Sequence, residues 1–187
     1  GNDKPVVIAA YQHVYDSADA AASDRATSLT MATLFSRGGT QILAGEADRI
    51  LVDPYYVRNH VAEASTRDML TRWYDFLVEH DELLLDPTAV DVTASYAGEY
   101  NNDCDVSYDS AAVSGEATAG VVWRSITAVR GRLVVNLINL VGQTDTLWDA
   151  PRNPFGDPGP GALRVRRLQG RLPRVRVADP DRLHRLI

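Results

Sequence analysis

The chain has 187 residues, of which 45% are hydrophobic and 24% charged, a composition typical of a folded protein with one or two small domains. No apolar run approaches the length of about 20 residues that a membrane-spanning helix needs. The net charge of −6 argues against a general affinity for nucleic acid. The single cysteine, Cys104, excludes an internal disulfide and a cysteine-based zinc site. We therefore expect no membrane or nucleic-acid partner, no metal and no cofactor.

The first part of the chain alternates between strand-like and helix-like patterns. Apolar, mostly β-branched residues at 5–11 predict a strand that is buried on both faces in a parallel sheet. Small and apolar residues at helical spacing predict a helix over residues 20–36, which Gly38 and its neighbour would end. A second strand is predicted over residues 40–46. These patterns indicate two successive β-α units.

A second helix and then a change of composition follow. Ser65 is the expected N-cap of a helix over residues 66–81, which carries an apolar stripe that includes Trp73. The polar run around Cys104 predicts an unreactive thiol near a loop. Alternating patterns predict strands over residues 90–96, 119–129, 132–140, 162–168 and 174–178. The predicted domains are therefore an α/β domain, residues 1–86, and an antiparallel β-sandwich, residues 87–187.

Two β-α units are too few for a stable parallel sheet. Buried parallel strands need neighbours on both edges and helices over both faces. A closed β/α barrel takes eight units and typically about 250 residues. The sequence therefore predicts either a small open sheet of unusual form or the last two units of a barrel whose other units precede this chain in a longer protein.

Polar residues that follow the two predicted strands are the candidate site. Glu46 and Asp48 are two residues apart and project to the same side if the strand continues. Such residues at the C-terminal ends of barrel strands line the active site, and a carboxylate pair can cleave a glycosidic bond. Gln12 could hydrogen-bond a sugar hydroxyl, and Tyr55 could stack on a glucose ring. Packing of the loops is the alternative for Gln12 and Tyr55, and chance spacing is the alternative for the acid pair.

Several segments occur in an order that resembles one family. They are Lys-Pro-Val-Val-Ile-Ala-Ala-Tyr at residues 4–11, the run from Leu34 to Leu51, Asp-Pro-Tyr-Tyr at 53–56, the apolar strand at 134–140 and Trp-Asp at 148–149. Together they resemble glycoside hydrolase family 66, the dextranases and cycloisomaltooligosaccharide glucanotransferases. The resemblance extends from Lys4 to about residue 181.

The resemblance implies a fold and an activity. Members have a β/α barrel followed by an antiparallel β-domain, and they cleave α-1,6-glucosidic bonds with retention by an aspartate nucleophile and a glutamate acid/base. Both catalytic residues belong to earlier barrel strands, so none is expected in this chain. Substrate-binding roles are expected for Gln12, Glu46, Asp48 and Tyr55. The implied partners are an α-glucan or isomaltooligosaccharide and the missing N-terminal part of a secreted or cell-surface bacterial enzyme.

Two other functions remain open at this point. One is a non-catalytic carbohydrate-binding or structural β-sandwich module, and the other is an independent small α/β protein. The length of the encoded reading frame distinguishes them from the glycosidase, which requires several hundred residues upstream. The choice between hydrolysis and cyclisation depends on loops that would lie upstream.

Overall fold

The computed structural model describes residues 6–45, 47–53, 59–98 and 101–166. These residues form two compact units. The first, here the α/β unit, comprises the described residues of Lys4–Leu85 together with Leu147–Pro154, and the second, the β unit, comprises those of Asp86–Thr146 and Phe155–Arg185. Within the described ranges, no helix is long and apolar enough to cross a membrane. The predicted mixture of helices and sheets is confirmed.

The α/β unit begins with a β-α-β element. Strand β1, Val6–Ile8, pairs in parallel with strand β2, Gly39–Gln41, and Val7 lies opposite Thr40. Helix α1, Ala20–Ser36, connects the two strands and contacts β2. The predicted order of strand, helix and strand is confirmed.

Both ends of α1 follow from local chemistry. The side chain of Asp19 accepts a hydrogen bond of 2.8 Å from the backbone N–H of Ala22, which satisfies a free N–H group of the first turn. After the helix, Gly38 has a φ of 77°, a left-handed conformation that glycine adopts without the penalty of a side chain. The predicted bounds of this helix, residues 20–36, are confirmed.

The predicted second strand is shorter than expected. Strand β2 ends at Gln41, and residues 43–45 then pair with strand β3, Arg49–Leu51, through the bonds Gly45 N–H to Arg49 O, 2.7 Å, and Leu51 N–H to Leu43 O, 2.8 Å. Strand β3 pairs in an antiparallel way with strand β4, Asn59–Val61. The sequence did not predict β3 and β4 because three residues are too few to show a period.

Helix α2, Ala64–Leu84, packs on α1. The predicted N-cap, Ser65, is wrong: Glu63 is the cap residue, and its extended φ of −69° and ψ of 167° place Ser65 inside the first turn. The predicted apolar stripe is confirmed, since Trp73 is only 4% exposed.

The two faces of the β1–β2 pair differ beyond Val6, which is 39% exposed on the face toward α1. On the face toward α1, Gln41 is 3% exposed and Leu43 0%. On the other face, here the open face, Val7 and Ile42 are each 55% exposed. The prediction that the first strand is buried on both faces is therefore wrong for these residues, because among the described strands β2 is the only neighbour of β1 and the helices cover one side.

The larger sheet of the β unit is built around one hairpin. Strands β8, Val122–Val129, and β9, Arg132–Asn139, are joined by a two-residue turn in which Arg130 and Gly131 have φ values of 48° and 71°. Strand β5, Val90–Asp91, pairs antiparallel with β8, and β7, Val113–Ser114, pairs parallel with it. The predicted strands in the regions 119–129 and 132–140 are confirmed.

The predicted strand over residues 90–96 is wrong beyond β5. A short helix, α3, occupies Thr93–Tyr96. The carboxylate of Asp91 accepts hydrogen bonds from the backbone N–H of Thr93, at 2.9 Å, and from its hydroxyl, at 2.6 Å. This local bonding offers the backbone an alternative to the strand and turns the chain into the helix.

A second sheet pairs β6, Cys104–Tyr108, with β10, Gly161–Val165. Cys104 begins β6 directly after a loop, and its side chain is 0% exposed and packs in a cluster with Ile126 and Leu133 of the larger sheet. Burial raises the pKa of the Cys104 thiol, so the predicted lack of reactivity agrees with its surroundings.

The alternating pattern that predicted a strand over residues 162–168 is confirmed in β10 and the residue after it. Arg164 and Arg166 are exposed, whereas Val165 packs against the cluster that contains Cys104. The predicted final strand, residues 174–178, lies outside the described residues.

At the start of the β unit, hydrogen bonds stabilise the ionised form of Asp86. Its carboxylate, 3% exposed, accepts hydrogen bonds from the backbone N–H of Thr88 (2.7 Å), from the Thr88 hydroxyl (2.5 Å) and from Arg130. These bonds, those from Thr88 foremost, lower the pKa of Asp86. A carboxylate with a lowered pKa stabilises the folded state above its unfolded pKa, and this stability is lost as the pH falls through the folded pKa.

Thr88→Val is expected to raise the pKa of Asp86 toward its ordinary value. The variant should therefore melt at a lower temperature than the parent above about pH 5, and the difference should shrink as the pH falls below about 4. Thermal unfolding followed by circular dichroism from neutral to acid pH measures this, with Thr118→Val at an exposed position as the control. If the difference in melting temperature between parent and variant were the same at every pH, the hydrogen bonds from Thr88 would not be the cause of the lowered pKa of Asp86.

Candidate functional site

The segments that follow the parallel strands meet at one edge of the α/β unit. We call this edge the rim and define it as the described residues of 9–16 and 42–53. The backbone N–H of Gln12 donates to the carbonyl of Leu51 at 3.2 Å, which joins the two segments. A 3₁₀ helix, His13–Asp16, then leads toward α1. The rim is where a β/α fold places its polar site residues.

Gln12 faces the interior. Its side chain is 1% exposed, its Nε2 donates to the hydroxyl of Thr30 at 3.4 Å, and the hydroxyl of Thr27 donates to its Oε1 at 3.4 Å. Both threonines lie on α1, so the amide ties the rim to this helix. A hydrogen bond from Gln12 to a sugar stays a prediction.

Asp48 lies in the turn that leads into β3. Its side chain is exposed, and its carbonyl accepts a bond of 2.8 Å from the backbone N–H of Ala62. Ala47 and Asp48 have φ values of 39° and 50°, in the left-handed region that non-glycine residues rarely adopt. The chain is therefore not extended at Asp48. Two further predicted site residues, Glu46 and Tyr55, lie outside the described residues.

A buried carboxylate organises the rim, and the sequence analysis missed it. Asp24 of α1 is 9% exposed and accepts two short hydrogen bonds, one of 2.8 Å from the hydroxyl of Tyr15 and one of 2.7 Å from the hydroxyl of Thr66. The first partner belongs to the 3₁₀ helix of the rim and the second to the first turn of α2. Asp24 thus joins the rim to both helices. Its one signal in the sequence is an acidic residue on a helix of mainly small side chains.

The phenol of Tyr15 acts as the donor in this cluster. Burial raises the pKa of Tyr15 far above its ordinary value; the hydrogen bond from Thr27 lowers it, and the charge of Asp24 raises it. The phenol therefore stays protonated at any pH near neutrality. The ring of His60 lies 5.4 Å from that of Tyr15 at an angle of 34°. The carboxylate of Asp24 accepts one hydrogen bond from the rim and one from α2. It therefore serves to position the rim.

A late segment of the chain also contacts this region. We call Leu147–Pro154 the strap. Asp149 Oδ1 accepts a 2.9 Å bond from the backbone N–H of Val14, and the guanidinium Nε of Arg25 donates to the carbonyl of Arg152 at 2.7 Å. No helix or strand was predicted between residues 140 and 162, and no local pattern shows which helix such a segment will contact.

The described part of the chain positions a rim but not a pair of facing carboxylates. Of the predicted acid pair, it includes only Asp48. Within the same residues, no group of three or more His, Cys, Asp or Glu side chains is placed to hold a metal ion. The exposed groups of the rim are accessible to a ligand. The hydrogen bonds of Asp24 and Gln12 hold the backbone that carries these groups in place.

Comparison with known proteins places the chain among the glycoside hydrolases. The family model described as glycosyl hydrolase family 66 matches residues 1–181. The chain belongs to this family, and the resemblance seen in its sequence segments is confirmed.

One similar solved structure is a cycloisomaltooligosaccharide glucanotransferase of Paenibacillus sp. complexed with cycloisomaltoheptaose. It is 25% identical in sequence, with a TM-score of 0.60 over 70% of this chain and 18% of that chain. This chain therefore spans less than a fifth of the length of that relative. No curated protein matches the chain.

Proposed function

We propose that the chain is the C-terminal portion of a retaining glycosidase that acts on α-1,6-glucan, with the catalytic pair in an upstream part of the same protein. It would supply the last two units of an eight-unit β/α barrel and a β-sandwich that follows. Membership of family 66 and the likeness to a glucanotransferase complexed with a cyclic isomaltooligosaccharide support the proposal.

The observation that carries this proposal is the open face of the β1–β2 pair. Helices cover one face, whereas Val7 and Ile42 are each 55% exposed on the other. In a β/α barrel, helices cover the outside of every strand, and side chains from the other strands pack against its inner face. A two-stranded sheet with a bare apolar face is only marginally stable alone. The open face therefore favours a barrel segment over an independent small α/β protein.

The β unit supports the second half of the proposal. Its two sheets contribute to one apolar cluster, in which Cys104 and Leu163 of the smaller sheet meet Ile126 and Leu133 of the larger sheet. Side chains that alternate between an apolar core face and a polar outer face, as at Val165 and Arg166, are typical of a sandwich.

The substrate-binding roles belong to the same proposal. Gln12, Glu46, Asp48 and Tyr55 follow the last two barrel strands in the sequence, where side chains of such enzymes reach the substrate. Exposure of Asp48 on the rim is consistent with a sugar contact. The enzyme would be bacterial and would act outside the cell or at its surface, where its polymeric substrate is found.

The test compares the product of the whole reading frame with the 187-residue chain. The longer protein should release reducing sugar or cyclic products from dextran and should leave an α-1,4-glucan intact, whereas the short chain should release none above the blank, because the two-carboxylate mechanism needs both groups. The anomeric form of the first product reports retention. Turnover by the short chain would place the catalytic pair within it, and binding of dextran without cleavage by the longer protein would favour the carbohydrate-binding alternative.

A further inference from the structure

The strap is fastened along its length to one flank of the α/β unit. Besides the bonds from Val14 and Arg25, its residue Arg152 donates from the backbone N–H to the carbonyl of Ala22 at 3.2 Å. The hydroxyl of Thr30 approaches the carbonyl of Trp148 at 3.5 Å. The strap therefore has a defined position on α1.

That position follows from the rotation of residues around α1, about 100° for each residue. Asp24, Ser28 and Phe35, which contact α2, lie within about 40° of one another on the helix. Ala22 and Arg25, which contact the strap, point about 140° and about 80° away from the middle of that group.

Thr27 and Thr30 complete the arrangement. They form hydrogen bonds with Gln12 of the rim. Around the helix axis, they point between the residues that contact α2 and the residues that contact the strap, on the opposite side of the helix. Going round α1, the contacts are thus α2, the rim and sheet, and the strap. In a β/α barrel, each helix has the sheet beneath it and one helix on either flank. The strap lies on the flank where the preceding helix would pack.

The strap exposes two adjacent apolar side chains to solvent. Leu147 is 63% exposed and Trp148 41%, although Arg152 of the same segment is 2% exposed. The guanidinium of Arg152 donates to the carbonyl of Leu147, which joins Arg152 to the first residue of the strap. A fixed backbone that carries adjacent exposed apolar side chains is typical of an interaction surface.

We propose that Leu147 and Trp148 bind an apolar face of the helix that precedes β1 in the intact enzyme. The strap would then fasten the last two barrel units to the unit before them. This inference rests on the proposed function, because only a barrel places a helix on this flank. The partner is a helix of the same protein, since the strap follows the flank of α1 along the direction in which a neighbouring barrel helix runs.

Hydroxyl-radical footprinting with mass spectrometry tests the proposal, because it reports the exposure of individual side chains. The oxidation rates of Leu147, Trp148 and Ile42 are measured in the 187-residue chain and in the product of the whole reading frame, with an added peptide as dose reference. All three rates should fall severalfold in the longer protein, Ile42 because the barrel closes and the strap residues because the helix covers them.

The outcomes separate this inference from the proposed function. Protection of Ile42 without protection of Trp148 would overturn the inference and leave the barrel in place. An unprotected Ile42 would overturn both. Protection of Trp148 that appears only with saturating isomaltooligosaccharide would assign the indole to sugar binding instead. Trp148→Ala should also lower the melting temperature of the longer protein more than that of the short chain, and equal shifts would contradict a contact with the upstream helix.

Discussion

Trp73→Ala is expected to destabilise the α/β unit by about 3–5 kcal/mol, the usual cost of truncating a buried aromatic residue. Trp73 is 4% exposed at the centre of the contact between α1 and α2. Its ring lies edge-on to Phe35 and Phe76, with centroids 5.8 and 6.1 Å away. Alanine would remove both ring contacts and leave a cavity.

The substitution would also break a buried hydrogen bond. The indole Nε1 of Trp73 donates to the hydroxyl of Ser28 at 3.2 Å. Without it, Ser28 loses its partner on α2, and an unsatisfied buried polar group costs about 1–3 kcal/mol. The gain in helix propensity from alanine, about 0.5 kcal/mol, offsets little of this loss.

Urea unfolding followed by circular dichroism measures the effect of Trp73→Ala. Val78→Ala is the matched control, because Val78 lies on the same helix and is 73% exposed. The control should change the free energy of unfolding by less than about 0.5 kcal/mol. A loss for Trp73→Ala as small as that of the control would show that the two helices do not depend on this contact.

Asp24→Ala is expected to cost about 2–4 kcal/mol, because it leaves two buried hydroxyl groups without their acceptor. Tyr15 and Thr66 donate to the same oxygen of Asp24, at 2.8 and 2.7 Å. Asp24→Asn keeps an oxygen in place but removes the charge that strengthens both bonds, so its cost should be smaller.

The same denaturant titration applies, with Asp75→Ala at an exposed position of α2 as the control. A double-mutant cycle of Asp24→Asn with Tyr15→Phe isolates the bond between these two residues. Their effects should be less than additive, since either substitution alone removes the same charged hydrogen bond. Strict additivity would mean that Tyr15 and Asp24 do not interact in solution.

The cluster around Asp24 explains why the rim was only partly predictable. The positions of Gln12 and Asp48 after strands were sufficient to nominate both as site residues. The direction of a side chain depends on its partners, however, and the hydroxyl groups that bind Gln12 come from Thr27 and Thr30, at least 15 residues later. No local pattern shows which of several polar residues such a helix will bind.

The sequence by itself determined helix α1 and the family. Helix α1 has a capping Asp19, a regular interior and a terminating Gly38, so local chemistry specifies both of its ends. Family membership likewise needs only the order of residues, and the match over residues 1–181 confirms it.

Only the tertiary structure decided the features that rest on contacts between distant residues. Cys104 became part of a strand because β10, more than fifty residues away, supplies its backbone partners. The strap lies on α1 because Asp149 and Val14, 135 residues apart, are joined by a hydrogen bond. The open face of the β1–β2 pair has the same origin: an apolar sequence predicts that a strand can be buried, but burial requires neighbouring strands to supply the packing.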